Sequence, residues 1–149
     1  MTSVSHSRVI AAPPEAVWAV LADFAAIWTW APNVDHSAPA SAARDGRGAV
    51  RRVQVGRYAL LETVVEWQPS RQLSYVITGL PPVAGPISTD WQLAPHDDGT
   101  TVTVTTTVQS PQRPPGRIIG RALSRRLGSA GNQMLGGLAQ HVIQLQEHR

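Results

Sequence analysis

The chain contains no cysteine. Disulfides, thiolate nucleophiles and cysteine-based metal sites are therefore excluded. Lysine is absent as well, so every basic residue outside the histidines is Arg. Schiff-base chemistry through a lysine goes with it. No apolar run approaches the roughly 18 residues of a spanning helix, and no signal-peptide pattern opens the chain. The expectation is a cytoplasmic protein without stable membrane insertion. His6, His36, His96, His141 and His148 show no metal-ligand spacing. There is no Ser-His-Asp elbow, phosphate loop or dinucleotide fingerprint. No metal and no cofactor are expected. Asp35 and His36 would point to opposite faces of a strand, which argues against an acid–base dyad. The net charge of +3 is mild and no reading motif accompanies it. No nucleic-acid partner is expected.

What is present is one domain's worth of chain, 149 residues of ordinary apolar content. Its most informative stretch is AVRRVQVGRYALLETVVE, Ala49 to Glu66. Gly56-Arg57 between β-branched runs predicts a two-residue hairpin turn. Arg51 then faces Glu62, Val53 faces Leu60 and Val55 faces Tyr58. Side chains alternate along a strand. One face therefore carries Arg51, Val53, Val55, Tyr58, Leu60, Glu62 and Val64. It is apolar except for one opposite-charge pair.

Around this hairpin the chain reads in order. Val4 to Ala11 is a first strand. Pro13-Pro14-Glu15 opens a helix, with Val17, Val20, Leu21 and Phe24 on one side. A second short helical segment spans Ala25 to Trp30, ended by Pro32. Asn33 to Ala43 is a weak edge strand. A turn at Pro69-Ser70 pairs Trp67 with Gln72, which sets Tyr75 opposite Val64 and Ile77 opposite Glu62. Leu61, Val65 and Trp67 then point outward. GLPPVAGP, Gly79 to Pro86, is a loop. The turn His96-Asp97-Asp98-Gly99 puts Leu93 by Val102, Trp91 by Val104, Thr89 by Thr106 and Ile87 by Val108. Ser110 to Pro115 breaks the pattern.

A long helix follows from Arg117 to about Gln146. Ile119, Leu123, Leu127, Ala130, Met134, Leu138, Val142 and Leu145 form its apolar stripe. Gly128, Gly131, Gly136 and Gly137 are unusual inside it, each costing roughly 1 kcal/mol against Ala. They either leave room for a cavity or permit a close helix–sheet approach. Arg117, Arg121, Arg125 and Arg126 mark a solvated face or a patch for an anionic partner. The sum is an antiparallel sheet with one lined face and one helix to cover it.

In this order the stretches IAAPPEAVWAVLADF, WAPNV, GAVRRV, LLETVVEWQPSRQLSYVI and DGTTVTVT resemble the START/polyketide cyclase–dehydratase (SRPBCC) superfamily. The resemblance covers nearly the whole chain. It implies an α+β helix-grip fold: a seven-stranded antiparallel curved sheet around the long C-terminal helix, with two short helices after the first strand. It also implies a cavity between sheet and helix, and a small hydrophobic molecule as partner, as in polyketide cyclases or lipid carriers. It carries over no fixed catalytic set.

For Arg51 and Glu62 three readings stay open: a structural pair, the anchor of a ring-containing ligand, or a catalytic pair completed by Tyr75. Tyr75 either donates into the cavity or is a satisfied core aromatic. Trp28, Trp30 and Trp91 are flat walls for a ring or simply pack. Thr89 and Thr106 are inward polar groups or fill space. Met134 and Leu138 are expected to line the cavity. Cyclisation or dehydration of a polyketide-type substrate is the enzymatic alternative. A protein–protein adaptor using the outer sheet face is another, and a homodimer is left open.

Overall fold

The computed structural model describes residues 2–79, 86–109 and 116–148, with side chains for all of these but 116–128. Most of the loop at Gly79–Pro86, the break at Ser110–Pro115, and the side chains of Ile119, Leu123, Leu127 and the four arginines 117, 121, 125 and 126 lie outside the described residues. The strands are β1 (Thr2–Ile10), β2 (His36–Pro39), β3 (Val50–Val55), β4 (Tyr58–Gln68), β5 (Gln72–Thr78), β6 (Ile87–His96) and β7 (Gly99–Val108). Between β1 and β2 come helix α1 (Pro14–Ala22) and a short 3-10 helix (Phe24–Thr29), and helix α2 (Gly116–Glu147) closes the chain. The seven strands form one antiparallel sheet in the order β1-β7-β6-β5-β4-β3-β2. Helix α2 packs across β1 and β7 and touches α1. This is the α+β helix-grip architecture.

The local causes are visible in each element. Gly56 adopts φ +56 at the β3–β4 turn, a left-handed conformation that costs glycine little. Arg51 pairs with Glu62, Val53 with Leu60 and Val55 with Tyr58. Proline starts α1 because its missing N–H would have no helical partner there, and Glu15 sits in the first turn. α1 buries Val17, Trp18, Val20 and Leu21. In β7 the residues alternate between buried and half-buried, so TVTVTTTV has one core face and one hydroxyl face. On that outer face Ser3, Ser5 and Ser7 bond side chain to side chain with Thr107, Thr105 and Thr103.

Two expectations are corrected. Trp67 pairs with Leu73, not with Gln72, because a bulge sits between Val64 and Glu66. Beyond the bulge the register is as expected, with Val64 opposite Tyr75 and Glu62 opposite Ile77. An extra residue reverses every following side chain. Trp67 therefore turns inward and packs edge-on against Trp18, with centroids 5.1 Å apart. Val65, the residue in the bulge, stays exposed, as does Leu61. The weak edge strand is also shorter than expected. Val34 N–H bonds back to Ala31 O, Asp35 N–H makes the first bond to β3 at Gln54 O, and the paired register runs only from His36 to Pro39.

Candidate functional site

A cavity of about 250 Å³ lies between the inward sheet face and α2. The central hairpin contributes Val53, Val55, Tyr58, Leu60 and Glu62 to its wall. Tyr75 and Ile77 come from β5, Thr89 from β6, and Val104 and Thr106 from β7. Cross-strand partners share a face, so these residues meet because the registers align them. Ala130, Gly131 and Met134 close the cavity from α2. Ile27, Asn33 and Val34 line it from the 3-10 helix and the segment after it.

The helix glycines divide between the two roles. A Cβ on Gly131 would only touch Thr106 and Val104 at 3.8 Å, so its missing side chain leaves cavity space. A Cβ on Gly137 would lie 2.2 Å from Trp30 O and 2.7 Å from Pro32 Cδ. There glycine lets the helix approach the backbone of Trp30.

Arg51 and Glu62 meet as the register requires. Arg51 Nε donates to Glu62 Oε1 at 2.7 Å. Arg51 Nη1 donates to the Phe24 carbonyl, also at 2.7 Å. Nη2 lies 2.7 Å from the same Glu62 oxygen but off-angle, so it adds charge contact and no further hydrogen bond. The guanidinium stacks 3.8 Å from the Phe24 ring centroid and 4.6 Å from that of Tyr75. Only 2% of Arg51 is exposed. The expectation that Arg51 faces the cavity is therefore corrected. Glu62 is on the wall and Arg51 is not. The physical reason is the 3-10 helix, whose first carbonyl and ring hold the guanidinium in place. Among the described residues no hydrogen bond reaches Glu62 Oε2.

Tyr75 is buried, on the wall, and packs edge-on against Phe24. Its hydroxyl accepts a hydrogen bond from Trp91 Nε1 at 3.2 Å. Burial, and then the Glu62 charge, push its pKa up to about 12, against an opposing pull from Arg51. At neutral pH it is a protonated donor. Trp91 is fully buried and supports Tyr75 from outside the cavity wall. Trp30 packs edge-on against Trp91 at 5.8 Å. Trp28 is 55% exposed and joins neither. None of the three tryptophans lines the cavity, and of the two readings, flat walls or packing, Trp30 and Trp91 take the second. Leu138 is buried in the core but also off the wall. Thr89, Thr106 and Met134 are on it.

The sequence sets Tyr58 on the inward face and offers Gly131 among the glycines that leave cavity space, but it does not mark Asn33 as a wall residue. Asn33 carried no periodic signal. Its Oδ1 is buried and has no hydrogen-bond partner among the described residues. Asp35, its near neighbour, accepts from Gly56 N–H at 2.8 Å, while His36 is exposed. Among the described residues no group of three or more His, Asp or Glu could hold a metal ion. Among the same residues no helix is long and apolar enough to cross a membrane.

The fold recurs widely among solved structures. A solution structure from Thermobifida fusca is 28% identical, with TM-score 0.79, over 97% of this chain and 95% of its own. A START superfamily protein from Mycobacterium smegmatis matches at 19% identity and TM-score 0.73, covering 96% and 98%. The Zhui aromatase/cyclase from a Streptomyces species matches at 22% and 0.70, covering 95% of both chains. Identities this low show shared architecture. A comparison with curated proteins finds no match. The family model for polyketide cyclase/dehydrase and lipid transport covers residues 1–142, and with that match the chain belongs to this family.

Proposed function

We propose that the protein binds a small, mostly apolar, ring-containing molecule in the cavity between sheet and α2. The observation that carries this is the wall itself. It encloses about 250 Å³ and sets one charged side chain among aliphatic ones. A cavity of about 150 Å³ lined by aliphatic and aromatic groups is enough to hold benzene. This one has room for a fused-ring ligand. A mostly apolar cleft with a few convergent polar groups is the usual form of a small-molecule site. The family description, cyclases and lipid transport, supports the same class of ligand. Glu62 and Tyr75 mark the polar end, and Arg51 holds Glu62 in place. Mass spectrometry of the protein purified under non-denaturing conditions should show a co-purifying hydrophobic compound, and naphthol should displace it. A protein that carries nothing and does not bind naphthol would refute the reading.

An enzymatic reading has one observation in its favour. Glu62 and Tyr75 place a carboxylate and a neutral hydroxyl on the same wall. Glu62 would take a proton from the carbon beside a ketone, and the Tyr75 hydroxyl would hydrogen-bond the enolate oxygen as its charge develops. Such a step belongs to cyclisation and dehydration of polyketide-type substrates. Glu62→Gln would then abolish turnover while leaving ligand affinity nearly intact. Loss of both together would speak for binding alone.

A further inference from the structure

We infer that the cavity selects a neutral ligand with a hydroxyl at each end, that Asn33 binds the second hydroxyl, and that carboxylic acids on the same frame are excluded. The inference rests on the binding function proposed above and concerns which molecules that site takes.

Charge is the first ground. Among the described residues the wall carries Glu62 and no Arg, Lys or His. The nearest cation, Arg51, is off the wall: Nε and Nη1 donate to Glu62 and the Phe24 carbonyl, Nη2 is buried 2.7 Å from Glu62 Oε1 without a hydrogen bond, and aromatic rings lie against the guanidinium plane. Its charge is already paired with Glu62 and lies behind the wall, so a ligand carboxylate would meet Glu62 first. A second carboxylate beside Glu62 would face a like charge where water is scarce.

Hydrogen-bond complementarity is the second. Glu62 Oε2 is an acceptor without a donor among the described residues. Tyr75 accepts from Trp91, which leaves its own proton to donate. The two side chains are diagonal neighbours, since Glu62 faces Ile77 and Val64 faces Tyr75. A ligand hydroxyl donates and accepts at once, so it satisfies both. A ketone or a carboxylate answers Tyr75 alone.

Asn33 supplies the other end. Its Oδ1 is buried without a partner among the described residues, and the residue lines the cavity. An unsatisfied buried acceptor is costly, so a donor is missing there. The segment is tied to the hairpin tip by Asp35 N–H to Gln54 O and by Gly56 N–H to Asp35 Oδ2. Exposed Tyr58 lines the cavity at that same tip. Glu62 sits opposite Arg51, four strand residues from Val55, or about 13 Å along the sheet. The two acceptors therefore stand at opposite ends of the apolar wall.

Isothermal titration calorimetry tests this with three probes on one frame: a naphthalenediol with hydroxyls at opposite ends, naphthol and naphthoic acid. At neutral pH naphthol should bind at least about tenfold more tightly than naphthoic acid, and the diol more tightly than naphthol. Asn33→Leu should remove the advantage of the diol over naphthol. Glu62→Gln should narrow the gap between naphthol and naphthoic acid. Equal affinity for naphthol and naphthoic acid in the parent protein overturns the inference while the binding function stands. So does a diol that keeps its advantage in Asn33→Leu. Failure of all three probes removes the binding function and this inference together. The parent comparison needs no variant, so a poorly folding Asn33→Leu does not shield the proposal.

Discussion

At the scale of single residues, Arg51 and Glu62 are a buried charge pair whose parts cannot be separated cheaply. Arg51→Met leaves the Glu62 carboxylate buried without its cation. Glu62→Leu strands a guanidinium held only by one carbonyl and two rings. Each single change is expected to cost about 3–5 kcal/mol, and the double change Arg51→Met with Glu62→Leu to recover most of it. Urea unfolding of the four proteins measures this. Near-additive losses in the double variant would show that the two residues do not act as a pair. Tyr75 gives a second prediction. In the unfolded chain it titrates at its ordinary 10.0, and in the folded protein at about 12. Between those values the unfolded chain has lost a proton that the folded one keeps. Its contribution is constant below pH 10 and is lost as pH rises to about 12. The loss amounts to about 2–3 kcal/mol. Tyr75→Phe should abolish that alkaline slope. A slope unchanged in Tyr75→Phe would assign it to another group.

At the scale of elements, two adjacent glycines of α2, about 1.5 Å of helix apart, make opposite predictions. A side chain at Gly137 collides with the Trp30 carbonyl, so Gly137→Ala should destabilise by about 1–3 kcal/mol as the helix is pushed off. A Cβ at Gly136 meets only Arg8 Nη1, at 3.8 Å. Gly136→Ala should stabilise by up to about 1 kcal/mol through helix propensity. Thermal melts of the two variants decide it, and equal shifts would deny that the close approach is specific. The same elements show what was legible beforehand. The β3–β4 register could be read because one glycine turn and an alternating pattern agree on it. The β6–β7 register followed from the turn ahead of Gly99 in the same way. The bulge at Val65 could not be read, since no Gly or Pro marks it and Val-Val breaks the alternation ambiguously. Trp67 was misplaced for that reason alone. Arg51 was correctly set opposite Glu62. Its closure from the cavity depends on the Phe24 carbonyl, 27 residues away, which no local pattern encodes.

At the scale of the whole molecule, an unfilled interior is a stability deficit that a ligand can offset. Cavities left by core truncation cost about 24 cal/mol per Å³. For a cavity of about 250 Å³ that is partly open to water and partly polar, the deficit is smaller than that scale implies. A ligand that binds only the folded state returns part of this, about 2.7 kcal/mol at a hundredfold excess over its Kd. Met134 reaches the cavity from α2, on the helix face that also presents Ala130 and Gly131. Met134→Trp should fill that space from within. The variant is expected to be no less stable than the parent, because the added ring goes into existing volume. Its melting temperature should then stay flat as naphthol is raised, while that of the parent climbs with the logarithm of probe concentration. Adding naphthol to both proteins separates cavity binding from adhesion to exposed surface. Adhesion at Trp28 or the outer face would raise both curves alike. A Met134→Trp protein that is folded and still gains stability with naphthol would place the ligand somewhere other than the space between sheet and helix.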